Sequence, residues 1–230
     1  MKISVIVPTF NEESTVEKTL TAISRLINVD EIVVVDGGST DRTAEKIENF
    51  ESVKDIKLVI LHEASRGLQL HEGTKHATGD IFWFVHADTR PKQGSAGQIK
   101  KFMRFDEIVG GHFEIVFSGD RFWARFLAWL YPQLRVLGLT YGDSAFFVRR
   151  EKYEEIGGFR PYPLFEDVEL YKRLRKKGRF VLIAMPVTTS SRRFDDHSFV
   201  WTFTKWSIRQ GLYWLGVSPS YLAKTYKQIR

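Results

Sequence analysis

The sequence predicts an α/β fold: an open, mostly parallel central sheet with helices on both faces. Three observations predict it. Short runs rich in Val and Ile alternate with helical patterns through the first hundred residues. Those runs are apolar without interruption, as in parallel strands covered on both faces. Each run also ends in a polar or charged segment, and in open α/β sheets ligands lie beyond the carboxyl ends of the strands.

The elements follow in order. KISVIV, residues 2–7, is continuous and β-branched, a buried strand. From about Glu13 to Ile27 the apolar residues Val16, Leu20, Ile23 and Leu26 recur at helical spacing. EIVVVD is a second buried strand. STDRTAEKIENF opens on Ser, Thr and Asp, which cap helices, and continues as one. IKLVIL is a third strand, followed by the loop HEASRG and a helix from about Leu68 to Thr78. DIFWFV is a fourth strand, leading into HADTRP. The order β-α-β-α-β-α-β gives the parallel sheet.

The second half is mixed. GGHFEIVFSG, DSAFFVRR and RFVLIAMPV read as further strands. RFWARFLAWLYPQL reads as an aromatic helix ended or kinked at Pro132. PLFEDVELYKRLRKKG is an amphipathic helix with a basic last turn and a glycine stop. A helix runs from roughly His197 to Leu215, and Ser218-Pro219 starts a final short one. No linker divides the chain, so the sheet is expected to continue across the midpoint.

At 230 residues, 43% hydrophobic and 27% charged, the composition suits a globular domain. The absence of cysteine excludes disulfides, thiolate metal sites and a cysteine nucleophile. The run ISVIVP is too short for a signal-peptide core and meets Asn11, Glu12 and Glu13 at once. The expectation is a cytoplasmic protein. The formal charge of +6 is uneven: residues 1–115 carry 14 basic and 18 acidic side chains, whereas residues 116–230 carry 20 and 10. Five of the six tryptophans lie in that basic half. This suits an anionic partner, either a lipid surface or a phosphorylated substrate, or else a basic surface over an aromatic core.

Four strand ends, PTFNEE, DGGSTD, HEASRG and HADTRP, place polar groups along one edge. DGGSTD lacks the GxGxxG order of a dinucleotide fingerprint, and no GxxxxGK(S/T) phosphate loop is present. Asp36, ending the second strand, can accept hydrogen bonds from nucleoside hydroxyls or base N–H groups. Asp88, just past the fourth strand, has its backbone held by the sheet and can offer oxygen to a hard cation. One carboxylate binds such an ion weakly, so a metal shared with substrate phosphates fits better than a metal-only site. The plainer alternative is a turn cap before Pro91.

PTFNEE, VVVDGGSTD, SRG, HAD and EDVEL, in this order, resemble a family 2 glycosyltransferase of the GT-A (nucleotide-diphospho-sugar transferase) fold. HADT, YGDSAFF, EDVEL and VTTSSRRF resemble a small bacterial branch of it. The motifs span about residues 3 to 195. The resemblance implies a single domain, residues 1–230. About 1–106 would be the nucleotide-sugar-binding half, and about 107–230 the acceptor-binding half with C-terminal helices. It implies that Pro8, Thr9, Glu12 and Asp36 surround the base and ribose, usually uridine, and that Arg66 lies near the base or diphosphate. The family's metal motif is Asp-x-Asp or Asp-Asp. Here His86 stands in place of the first acid, either bonding the ribose or phosphate or only packing, while Asp88 keeps the metal position. Asp167, beside Glu166, matches the catalytic base. Gly110, Gly111, Gly142 and Asp143 would lie on the acceptor side. His197, near Arg192 and Arg193, would touch the metal or diphosphate.

The implied activity is inverting transfer of a sugar from a nucleotide-diphosphate sugar, a UDP-sugar by the family's habit, assisted by Mn2+ or Mg2+. The acceptor would be an unknown hydroxyl on a sugar, a lipid-linked or a small molecule. An acceptor hydroxyl is a poor nucleophile until a positioned carboxylate takes its proton. Base and leaving group on opposite faces invert the anomeric centre, the logic of inverting glycosidases. Acids opening a helix can also merely complement its macrodipole. Two rival readings remain. A sugar-phosphate nucleotidyltransferase would want a GxGxR-like loop where PTFNEE stands. A nucleotide-sugar-binding protein without turnover is favoured only by His86. A nucleic-acid partner is disfavoured, since the basic residues mostly cap helices. Finally, FVWTFTKWSIRQGLYWL is apolar around most of its circumference, so it is buried, meets a partner or rests peripherally on the inner face of a membrane, with burial the expected case.

Overall fold

The computed structural model describes residues 1–118, 144–190 and 199–224, together with Trp123, Phe126, Trp129 and Leu130. Within these residues an eight-stranded sheet has the order β3-β2-β1-β4-β7-β6-β8-β5. Its strands are β1 (Ile3–Thr9), β2 (Glu31–Asp36), β3 (Asp55–Ile60), β4 (Ile81–Phe84), β5 (Thr89–Arg90), β6 (Ile108–Phe117), β7 (Phe147–Arg149) and β8 (Arg179–Thr189). The described helices are α1 (Val16–Ser24), α2 (Thr43–Glu48), α3 (Arg66–His76), α4 (Ser95–Phe102), α5 (Arg150–Glu155), α6 (Glu166–Leu174), α7 (Phe199–Trp214) and α8 (Pro219–Lys224).

The four strands expected to run parallel do so, with β1 between β2 and β4. The second half mixes directions: β7 is antiparallel to both β4 and β6, while β6 and β8 are parallel. Alternate residues of each strand feed two cores. Val5, Val7, Val34 and Trp83 pack on one face with Leu20 and Ile23 of α1 and Ile99 of α4. Ile6, Val33, Val35, Phe82 and Phe84 pack on the other with Leu70 of α3, Tyr153 of α5 and Leu174 of α6. Both faces are thus covered, which is why the strand sequences are apolar throughout.

β5 pairs with β8 although residues 85–88 alone separate it from β4. Three strands lie between β4 and β5 in the sheet order, so the sheet curls until the end of β8 returns to the tip of β4. That curl brings Thr189 opposite Thr89. DSAFFVRR yields only a three-residue strand before Arg150 opens α5, and α4 falls where no element is expected from sequence.

Gly110 and Gly111, expected on the acceptor side, have a packing role in the sheet. They are buried within β6, level with Phe82 and Trp83 through Val148 and Phe147. A Cβ on Gly110 would stand 2.4 Å from the Phe147 carbonyl oxygen, and one on Gly111 2.5 Å from the Phe147 ring. They are glycines because neighbouring strands and a phenylalanine pass too close for any side chain. Gly142, Asp143, Pro132, Arg192, Arg193 and His197 lie outside the described residues.

Candidate active site

The tips of β1 and β2 are joined through Asp36. Its Oδ1 accepts the amides of Gly38 at 3.0 Å and Ser39 at 2.7 Å, and its Oδ2 accepts the hydroxyls of Thr9 at 2.9 Å and Ser39 at 2.6 Å. Four donors match the acceptor capacity of one carboxylate. Asp36, almost wholly buried, therefore organises the DGGS turn, and a ligand reaches its oxygens only by displacing one of these donors.

The loop after β1 is laced to this turn. Asn11, with φ of 52°, donates its amide to Ser39 Oγ at 2.8 Å and accepts the Thr40 amide on Oδ1 at 2.9 Å. Asparagine tolerates this left-handed geometry better than most residues. Glu12 donates its amide to Thr43 Oγ1 at 2.7 Å and accepts the Thr15 hydroxyl at 2.6 Å, so it starts α1. Pro8 is half-buried and paired with Val35. A Cβ on Gly37 would lie 2.9 Å from Ala64 Cα, so the loop after β3 closes directly over the β2 turn. Gln69 of α3 ties the layer together, donating to the carbonyls of Thr9 at 2.7 Å and Val35 at 2.9 Å.

Arg66, the first residue of α3, crosses to the carboxylate pair. Its Nε bonds Glu166 Oε1, and Asp167 Oδ2 lies 3.7 Å from its guanidinium. Glu166 and Asp167 open α6 and are both buried. Asp167 Oδ1 also accepts the Val168 amide at 2.7 Å. Burial pushes the Glu166 carboxyl above its ordinary range; Arg66 opposes the rise and the adjoining Asp167 adds to it. Acids that only complemented a helix dipole would sit in water, since burying carboxylates is costly.

Phe165, preceding the pair, holds φ at 62°. A bulky residue there is strained, and such strain clusters at functional sites. Its ring is stacked on Tyr213 of α7, with centroids 4.6 Å apart, and packs with Val168 and with Leu222 of α8. The C-terminal helices thereby brace the start of α6.

Beyond β4, the Thr19 hydroxyl of α1 donates to the Ala87 carbonyl at 2.6 Å and anchors the HAD segment. His86 and Asp88 are half-buried. Asp88 Oδ1 has the hydroxyls of Thr89 at 3.4 Å and Thr189 at 3.5 Å beside it. This all-oxygen group suits a hard divalent cation. Among the described residues no cluster of three or more acidic or histidine side chains could hold a metal alone. The donor set therefore fits an ion shared with a ligand's phosphates.

Residues 4–165 match the profile of glycosyl transferase family 2. The chain belongs to that family. A probable glycosyltransferase of Bacillus subtilis, YdaM, is 28% identical over 198 residues, which is 77% of this chain and 47% of that protein. The chain thus spans about half the length of this relative. Among solved structures, S. aureus TarS 1–349 in complex with UDP-GlcNAc superposes with a TM-score of 0.71 at 19% identity, over 84% of this chain and 59% of that one. The mannosyltransferase PcManGT from Pyrobaculum calidifontis, in complex with GDP-Man and Mn2+, gives 0.69 at 22% identity, over 99% and 65%. The fold of this family 2 chain is GT-A, as the motifs lead one to expect.

Ser39, Gln69, Thr189, Phe165 and Tyr213 were not singled out by sequence. Gln69 carried a usable signal, a buried-helix neighbour of Leu70 that is polar. Phe165 carried none, because nothing about phenylalanine marks a left-handed backbone.

Proposed function

We propose that this chain is an inverting glycosyltransferase that moves a sugar from a UDP-sugar to a hydroxyl acceptor, with Asp167 as general base. The observation that carries the reading is the buried Glu166–Asp167 pair under Arg66, at the edge where the strand-end loops converge. Pro8, Thr9 and the loop that Asp36 organises would receive the nucleoside, with Glu12 fixing the loop's exit into α1. His86 would bond the ribose or a phosphate. Asp88 would hold Mn2+ or Mg2+ with Thr89 and Thr189 beside it. A bound divalent ion neutralises the charge growing on a departing nucleotide diphosphate.

The chain's own groups do the rest. Asp167 takes the proton of the attacking hydroxyl, and Glu166, protonated more readily than an exposed acid, keeps the pair from carrying two uncompensated charges. Arg66 spans the two halves: it holds the carboxylates in the free protein and can turn toward the leaving diphosphate, where a guanidinium bonds phosphate oxygens in pairs. The acceptor is a sugar, a lipid-linked or a small-molecule hydroxyl.

The test is release of UDP from a set of UDP-sugars in the presence of Mn2+, water serving as a slow acceptor. Asp167→Asn is expected to slow release by about a hundredfold, the lower part of the range for a general base. Release at the wild-type rate by Asp167→Asn would overturn its assignment as base.

A further inference from the structure

Helix α7 carries two apolar stripes on opposite sides, and the fold uses only one. Phe199, Phe203, Trp206, Gln210 and Tyr213 recur at helical spacing and face inward. Phe199 stacks on Trp123 at 5.9 Å, Phe203 meets Phe126 at 6.1 Å, Gln210 is buried and Tyr213 stacks on Phe165. Trp201, Lys205, Ile208, Leu212 and Leu215, at the same spacing but displaced by two residues, face outward. Trp201 is 60% exposed, Ile208 57% and Leu215 83%. Burial, the expected case for this helix, therefore holds for its inner stripe and not for its outer one.

Every charged side chain of α7 and α8 is basic. The two helices contain no aspartate or glutamate and carry Lys205, Arg209 and Lys224. Lys205 lies over the Trp201 ring, 4.5 Å from its centroid. Trp214 of α7 and Tyr221 of α8 are also more than half exposed. Exposed tryptophan beside aliphatic side chains, on helices whose charges are all cationic, is the chemistry of a bilayer interface: the rings sit at headgroup depth and the lysines meet lipid phosphates. Helices with basic and no acidic side chains favour an anionic bilayer over a neutral one. Among the described residues no helix is long and apolar enough to cross a membrane, so α7 would lie in the interface plane.

We propose that the outer face of α7, from Trp201 to Leu215, docks this protein on an anionic phospholipid surface. The docking does not depend on the catalytic reading. Tyr213, on the opposite stripe, joins the docked helix to the start of α6.

The test is co-sedimentation of the full chain with phosphatidylglycerol vesicles and with phosphatidylcholine vesicles, at low and high salt. At low salt the expected bound fraction corresponds to at least about tenfold tighter binding on phosphatidylglycerol, weakening as salt screens the lysines. Lys205→Glu should abolish the preference, and a Trp201→Ser, Leu215→Ser double variant should abolish pelleting; all three positions are exposed, so both variants should fold. No pelleting at low salt, or pelleting untouched by either variant, would overturn the proposal. So would a dimer by light scattering that the double variant splits, since a second copy would then cover the face.

Discussion

Arg66 decides the electrostatics of the site. Without its guanidinium, Glu166 and Asp167 would be adjoining buried carboxylates with like charges and no cation between them. Arg66→Gln should therefore move the rising limb of the pH–rate profile for UDP release upward by about one unit, because the pair then ionises less readily. An unmoved limb would mean that Arg66 acts only on the donor. At the opposite end of the sheet, Glu31 is a structural counterpart. It is buried and accepts from Ser4, Thr78 and Lys57. Burial alone would raise its pKa, but these donors outweigh that and hold it at about 2. A carboxylate depressed in the folded state stabilises it fully above the unfolded pKa. That contribution fades as pH falls from about 4.5 toward 2. Glu31→Gln should cost on the order of 2–3 kcal/mol in urea unfolding at pH 7, with the difference shrinking through that acid window. Asp88 and Asp167, the residues proposed to carry the chemistry, stand out in the sequence because each sits in an ordered motif. That Asp36 spends its oxygens on its own turn was not legible, since the acceptors of a carboxylate are assigned only once the loop is folded.

Among the elements, β6 and α7 carry the corrections. Gly110 and Gly111 open a strand-like run and are expected on the acceptor side, because sequence does not say which strands lie beside them. Pairing with β7 and β8 makes them packing glycines. Gly111→Ala should destabilise the protein by about 3 kcal/mol, as overpacking does, with UDP affinity in the surviving folded fraction unchanged. A stable variant with impaired turnover would restore the acceptor reading. In α7 the aromatic density announced a helix but not its sidedness, since Trp201 and Trp206 look alike in the sequence and face opposite ways. Tyr213→Ala removes the stack under Phe165 and should lower turnover about tenfold, roughly the size of one aromatic pair, while UDP binding stays near wild type. A parallel loss of binding would show that α7 supports the donor loops too.

At the scale of the whole molecule, the first hundred residues gave up their architecture readily because each parallel strand is a local, uninterrupted apolar run bounded by a helix. The second half hid its topology. The antiparallel β7, the parallel β6–β8 pair and the two-residue β5 are specified by partners 36 to 100 positions away, and no local pattern encodes such pairing. The curl that results brings Thr89 and Thr189 together beside Asp88, turning a lone carboxylate at a strand tip into an oxygen-lined corner. The central claim is that this corner and the β1–β2 loops together form a donor site. Calorimetric titration of UDP, with and without Mn2+, into wild type and Asp88→Ala tests it most directly. Mn2+ should strengthen UDP binding at least tenfold in the wild type, about 1.4 kcal/mol, and Asp88→Ala should abolish the metal effect. UDP binding indifferent to both Mn2+ and Asp88, or no binding under either condition, would contradict it.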